Sequence, residues 1–288
     1  MKEYNIKYES FNVYEENVSE AVFDFRVLPC NDGTQVVANS RMYNSIGESI
    51  FNFRNLFGFE VNRIRALSGF KEFSFTLNAT VQKITTDISD IIFLPRESEI
   101  EIMSSNDFFI EHHLFLQKTA YTSLSAYNRK YILLLIDYPG LFDYLISLNK
   151  FINSLLTYKT EITDVTTTAD DALNIKSGVC QDYAHLFISM CRQNGIPSRY
   201  ISGYLNQGKD FIGNTLMHAW TEAFIPGVGW MGFDPTNNLR VDENYIKVSH
   251  GADYTDCAPI KGVLKTKGEN KTSYKVVVTQ QQQQSQQQ

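Results

Sequence analysis

The sequence predicts an α+β protein, and three observations carry that reading. Apolar and polar side chains alternate with a period of two over the first hundred residues, the period lengthens to that of helices from about residue 116, and strand-like segments return after Gly195. Helices grouped ahead of a sheet, rather than alternating one by one with strands, mark the α+β class.

The elements follow in order. Ala21, Phe23, Phe25 and Val27 alternate with Val22, Asp24 and Arg26, and Phe73, Phe75, Leu77, Ala79 and Val81 alternate in the same way. This pattern predicts a small antiparallel β domain over residues 1–100. A second domain is expected over 101–279. Its first clear helix begins after Pro139-Gly140, where Leu141, Leu145, Leu148, Ile152 and Leu155 step by four and three. A shorter helix is expected from Thr168, with Asp170 and Asp171 in its first turn, where carboxylates suit the positive end of the helix dipole. The stretch SGVCQDYAHLFISMCRQNGIPSRYISGYL follows at 177–205, and Ala184, Phe187, Ile188 and Cys191 form one buried stripe at i, i+3, i+4 and i+7. Gly195 and Pro197 stop that helix. Counting back from the stop puts Cys180 in its first turn, with Ser177 or Gly178 in the capping region. Strands then continue to about Thr279, and the glutamine-rich end, 280–288, is expected to be disordered because it is too polar to pack.

Bulk composition narrows the function. The chain has 288 residues, 43% hydrophobic and 20% charged, which suits one large or two ordinary globular domains. A net charge of −6 and a pI near 5.4 argue against a nucleic-acid or membrane-surface partner. The longest apolar run, Tyr131–Ile136, is far short of the roughly 18 residues of a membrane span. The N-terminus lacks the apolar stretch of a secretory signal, and four scattered cysteines without CxxC spacing do not make a disulfide framework. A reducing, cytoplasmic setting is therefore expected, and the sequons at Asn17, Asn78 and Asn270 carry no weight in it.

Cys180 is the residue with chemistry in prospect. At a helix N-terminus the unpaired N–H groups and the dipole favour a thiolate. Cys191, on the apolar stripe of the same helix, reads as a small core residue. A cysteine nucleophile needs a base within hydrogen-bond reach and a group to orient that base. Among five histidines, His185 points elsewhere, about 140° around the helix from Cys180. His112 and His113 sit in a polar stretch and read as surface, and His250 reads as loop. His218 shares one strand face with Trp220, Glu222 and Phe224, and Trp230, Gly232 and Asp234 share a face of the next strand. A four-residue hairpin loop, 226–229, would set Asp234 against Thr221 on the wrong face. A five-residue loop sets it opposite Trp220, diagonal to His218. A triad therefore requires the second register or a bulge of equal effect.

The segments GVCQDYAHLF, GIPSRYISGYL, His218-Ala219-Trp220, GWMGFDPTN and HGADYTDCAPIKGV together resemble the transglutaminase-like superfamily, and within it the bacterial-type branch of candidate cysteine proteases. The resemblance covers nearly the whole chain apart from the tail, including an N-terminal β accessory domain. It implies a papain-like core, with a cysteine-bearing helix packed on an antiparallel sheet. It further implies Cys180 as nucleophile, His218 as general base and Asp234 as orienting acid. Two departures stand out: Ala252 occupies a position usually held by Arg, and Gly58-Phe59 stands where Gly-Asn is frequent.

No cofactor or metal is implied. No pair among Cys180, Cys191, His185 and His218 has the spacing of a structural zinc site, and no calcium loop is present. The expected activity is amide cleavage of a protein or peptide through a thioester acyl-enzyme. Transfer to an amine, and a non-catalytic binding module, are the alternatives. The Cys180 N–H is the expected oxyanion donor, and aromatic residues around Tyr204, Trp220 and Trp230 are candidates for a water-excluding tunnel.

Overall fold

The computed structural model describes residues 2–84, 91–206, 212–213 and 215–281. Six strands come first: β1 (Lys2–Val18), β2 (Glu20–Phe25), β3 (Gln35–Asn44), β4 (Ile50–Arg54), β5 (Glu60–Ala66) and β6 (Phe70–Lys83). The helical region holds α1 (Arg96–Met103), α2 (Asn106–Leu116), α3 (Leu141–Leu155), α4 (Ala169–Ile175) and α5 (Cys180–Gln193). Two short strands, β7 (Thr157–Tyr158) and β8 (Ser177–Gly178), pair in parallel ahead of α5. Then come β9 (Ser198–Leu205), β10 (His218–Ile225), β11 (Gly229–Asp234), β12 (Leu239–Arg240), β13 (Tyr245–Gly251), α6 (Tyr254–Cys257), β14 (Ile260–Lys265) and β15 (Asn270–Gln280). The α+β class, the antiparallel sheets and the N-terminal β region are as the sequence predicts.

Two four-stranded sheets, in the orders β15-β1-β6-β3 and β14-β2-β5-β4, form a sandwich. Period-two alternation turns Phe73 and Phe75 inward from one sheet and Phe23 and Phe25 from the other. Phe23 stacks on Phe73 at 4.4 Å and Phe25 on Phe75 at 3.9 Å between ring centroids. β14 and all but the last residue of β15 lie within 101–279, and their partners are β2 and β1. The five-stranded sheet and its helices thus sit between two portions of chain that build one sandwich. Strand periodicity reports a buried face but not the partner that covers it. The ladder also runs into the glutamine-rich end: Gln280 pairs with Tyr4, and Gln281 N–H donates to the Glu3 carbonyl. Residues 282–288 lie outside the described residues.

The central sheet, β12-β11-β10-β9-β13, carries α5 on one face. Phe187 of α5 stacks on Phe233, in a core shared with Ala223, Ile225, Met231 and Leu145 of α3. On its other side Tyr204, Ile246 and Val248 join the sandwich core. The Gln35 side chain fixes that seam, donating to the Lys247 carbonyl at 2.7 Å and accepting from the Lys247 N–H at 2.9 Å, where β13 shifts register. Among the described residues no helix is long and apolar enough to cross a membrane.

Candidate active site

The start of α5 explains the sequence SGVC. Val179, not Ser177 or Gly178, occupies the cap position, and it has no side-chain acceptor to offer. Asp182, three residues on, supplies one: its Oδ2 accepts from the Val179 N–H at 2.8 Å and from Thr163 Oγ1 at 2.8 Å. Burial pushes the Asp182 carboxyl upward, against those two hydrogen bonds. Gly178 makes room for it, since a Cβ there would lie 2.6 Å from Asp182 Oδ2. Ser177 and Gly178 are spent on β8. The result is a helix whose first residue, Cys180, is half-buried while every residue from Gln181 to Arg192 is buried.

His218 opens β10 and Asp234 closes β11. Ile225 pairs with Gly229 and Thr221 with Phe233, so the ladder runs on to set Asp234 against Trp220. That is the register a triad requires, reached with three residues, 226–228, between the last paired residues rather than with a five-residue loop. His218 Nε2 and Asp234 Oδ2 lie 2.8 Å apart, with both side chains fully buried. Asp234 accepts four further hydrogen bonds: from Tyr245 Oη at 2.8 Å, Asn237 Nδ2 at 2.8 Å, and the N–H groups of Thr236 and Asn237 at 3.0 and 3.2 Å. Burial works against charge on this carboxyl, but the His218 cation and these donors hold it below the usual carboxylate range. Burial likewise opposes charge on His218; attraction to Asp234, their hydrogen bond and a further contribution from Cys180 outweigh it and raise the imidazole to about 10. The remaining ring nitrogen, Nδ1, is buried without a hydrogen-bond partner. A cavity of about 300 Å³ is lined by both Cys180 and His218.

The other candidates are placed elsewhere. Cys191 and Cys257 are buried with thiols pushed up, and burial raises Cys30 to about 12. His185 is buried and accepts from the Tyr254 N–H at 3.2 Å, and burial lowers it to about 3. His112 is not a surface residue. It lies on α2 and packs against Phe224 at 4.1 Å, because aromatic partners from distant strands cover that helix face. His250 belongs to β13 rather than to a loop. Tyr204, Trp220 and Trp230 do not line the Cys180 cavity: Tyr204 donates to the Val27 carbonyl, Trp220 is core, and Trp230 stacks under Arg199 at 4.0 Å. Among the described residues no group of three or more His, Cys, Asp or Glu side chains is arranged to hold a metal ion.

Sequence reasoning missed two partners of Asp234. Asn237 ends the quoted GWMGFDPTN motif, so its signal was present. It also clamps Ile212 through that residue's N–H and C=O, at 3.0 and 3.1 Å. Tyr245 reaches in from β13, and no local pattern announces it.

A family model for the transglutaminase-like superfamily matches residues 140–235, from just before α3 to the residue after Asp234. An uncharacterised protein of Mycobacterium leprae is 30% identical over 271 residues, 93% of this chain and 95% of the relative. The chain belongs to the transglutaminase-like superfamily. A crystal structure described as a candidate cysteine protease from Cytophaga hutchinsonii covers 97% of this chain and 90% of its own with a TM-score of 0.77, at 21% sequence identity, which shows the shared fold. A protein-glutamine gamma-glutamyltransferase of Pseudomonas aeruginosa is 30% identical over 114 residues, 36% of this chain and 17% of that protein. Ala252, where the superfamily resemblance leads one to expect Arg, is buried; its carbonyl accepts from Arg192 Nη2 at 2.7 Å and its N–H donates to Asp256.

Proposed function

We propose that this transglutaminase-like protein cleaves amide bonds of a protein or peptide through a thioester on Cys180, with His218 and Asp234 as its proton-transfer pair. The observation that carries the reading is the buried His218, tied by Nε2 to Asp234 while Nδ1 has no partner beside the cavity Cys180 lines. An imidazole raised to about 10 is a cation at neutral pH, so it first serves as the acid of a thiolate–imidazolium pair. The thiolate attacks the carbonyl carbon, and the Cys180 N–H at the start of α5 donates to the developing oxyanion. Nδ1–H protonates the departing amine as the C–N bond breaks, leaving a neutral imidazole. That imidazole takes a proton from the attacking water, and the thioester opens to acid and thiolate, which restores the thiolate–imidazolium pair.

Transfer to an amine is the second reading, favoured by the likeness to the gamma-glutamyltransferase. Hydrolysis is preferred because water at about 55 M outcompetes an amine that no site binds, and neutral lysine is scarce at pH 7. A peptide-amide library with and without a millimolar primary amine separates the two. Acid product at every amine concentration is expected; a switch to amine adducts would make the protein a cross-linking enzyme. Loss of all product in Cys180→Ala is required by both.

A further inference from the structure

The cavity beside Cys180 is not built by the catalytic sheet and helix alone. Tyr200 and Tyr254 line it from the catalytic side, while Tyr8 of β1, Tyr274 of β15, and Pro259 and Ile260 at the start of β14 line it from the sandwich. The sandwich wall is held in place by hydrogen bonds that bracket the cavity. Arg26 N–H donates to the Pro259 carbonyl at 2.8 Å, and Val276 N–H donates to the carbonyl of Thr215, three residues before His218. Tyr8 is fully buried in the sandwich core, whereas Tyr274 is 48% exposed and stands at the cavity's rim. No Asp, Glu, Lys or Arg is among the described residues that line the space, and its walls are predominantly apolar.

We infer that the β sandwich supplies half of the acyl-side specificity pocket, and that this pocket takes a neutral, apolar side chain next to the scissile carbonyl, aromatic or branched aliphatic. At about 300 Å³ the space suits one residue rather than an extended segment. Four phenol rings offer faces and edges for stacking. Among the described residues an ammonium would meet only the His218 cation there, and a carboxylate only a cation already paired with Asp234, so either would lose more hydration than it regains. The inference rests on Cys180 being the nucleophile.

The test uses N-acetyl thiophenyl esters of Phe, Leu, Glu and Lys with the full chain, reading acylation of Cys180 by mass spectrometry. In each case Sγ bonds to the carbonyl carbon, the carbon–sulfur bond to thiophenol breaks, and thiophenol carries away the proton that Cys180 loses. Phe and Leu esters are expected to acylate at least about tenfold faster than Glu and Lys esters. Tyr274→Lys places a cation at the rim and is expected to raise the Glu-to-Phe ratio about tenfold. Tyr43→Lys, exposed on β3, is expected to leave that ratio at the wild-type value. Equal rates for all four esters, with Cys180 still labelled by iodoacetamide, overturn the pocket but not the nucleophile. An unchanged ratio in Tyr274→Lys overturns the contribution of the sandwich. Failure of iodoacetamide to label Cys180 overturns the nucleophile and the pocket together.

Discussion

One strand carries two charge clusters, one half-buried and one fully buried, and they are finished differently. On the face of β10 that bears His218, Glu222 sits four residues further on. Glu222 meets Arg199 Nε at 2.6 Å and Lys247 Nζ at 2.9 Å, and Lys247 contacts both of its carboxylate oxygens. Burial resists that charge, but the two cations hold the carboxyl down to about 2. Its valences are closed. The His218–Asp234 pair closes every valence of the carboxylate as well, yet leaves Nδ1 of the imidazole without a partner. Buried ring nitrogens without a partner also occur at His185 and His250, so what sets His218 apart is that it lines a cavity with Cys180, which neither of them does. On the proposed reading, the difference separates a brace from a tool.

Four experiments break or sharpen that comparison. The largest effect is expected for His218→Ala, which should lower kcat/KM on the best thioester or peptide substrate by on the order of 10³, because thiolate formation and leaving-group protonation both lose their proton carrier. Initial-rate measurements within tenfold of wild type would show the cluster to be a second brace. Glu222→Gln should behave in the opposite way: stability in urea falls by about 3–5 kcal/mol as two cations lose their partner, while activity per folded molecule stays within a few-fold. A large loss of activity without loss of stability would erase the distinction.

The third experiment uses pH. Glu222 is depressed from 4.5 to about 2, so its contribution to stability is present above about pH 4.5 and is lost as pH falls through about 2. His218 is raised from 6.5 to about 10, so its contribution is full below about pH 6.5 and is lost as pH rises through about 10. Urea midpoints should therefore fall at both ends, with the acid limb reduced in Glu222→Gln, where Asp234 still contributes, and the alkaline limb reduced in His218→Ala, where buried tyrosines and thiols still contribute. Identical limbs in all three proteins would refute the assignment. The smallest effect belongs to Tyr245→Phe. It removes one of five hydrogen bonds to Asp234 and should cost a few-fold in kcat/KM, with the alkaline limb moved slightly. A loss as large as that of His218→Ala would make Tyr245 a participant in the reaction.

The positions of Cys180 at a helix start and of His218 and Asp234 on neighbouring strands were readable from short-range rules, whereas the hairpin left two registers open and the roles came from the family resemblance. Tyr245 was not, since its ring comes to Asp234 from β13, on the far side of β10 and β9 in the sheet order. Gly203, directly opposite His218, helps to make that packing possible, because a Cβ there would strike the Trp220 ring and the Ile246 carbonyl. His112 misled for a related reason: a polar neighbourhood in sequence became an aromatic one in space through Phe108, Phe224 and Trp230. The β region was legible as strands, whereas the return of β14 and β15 to it was not, because alternation carries no address.

The ladder between β1 and β15 joins residues as far apart in sequence as Tyr4 and Gln280, and within it the Asn12 and Thr272 side chains bond across 260 positions. Contacts of that span close late, after the loop they span has collapsed. On the ribosome, a nascent chain that has already folded α5 and the central sheet still lacks Tyr274. In such a chain the cavity beside Cys180 would lack one of its four tyrosine walls until β15 docks. Proteolytic clipping within 266–270 should recreate that immature state in the finished protein. On the proposed reading, selectivity would thereby be a late event in the chain's synthesis, acquired after the Cys180 helix.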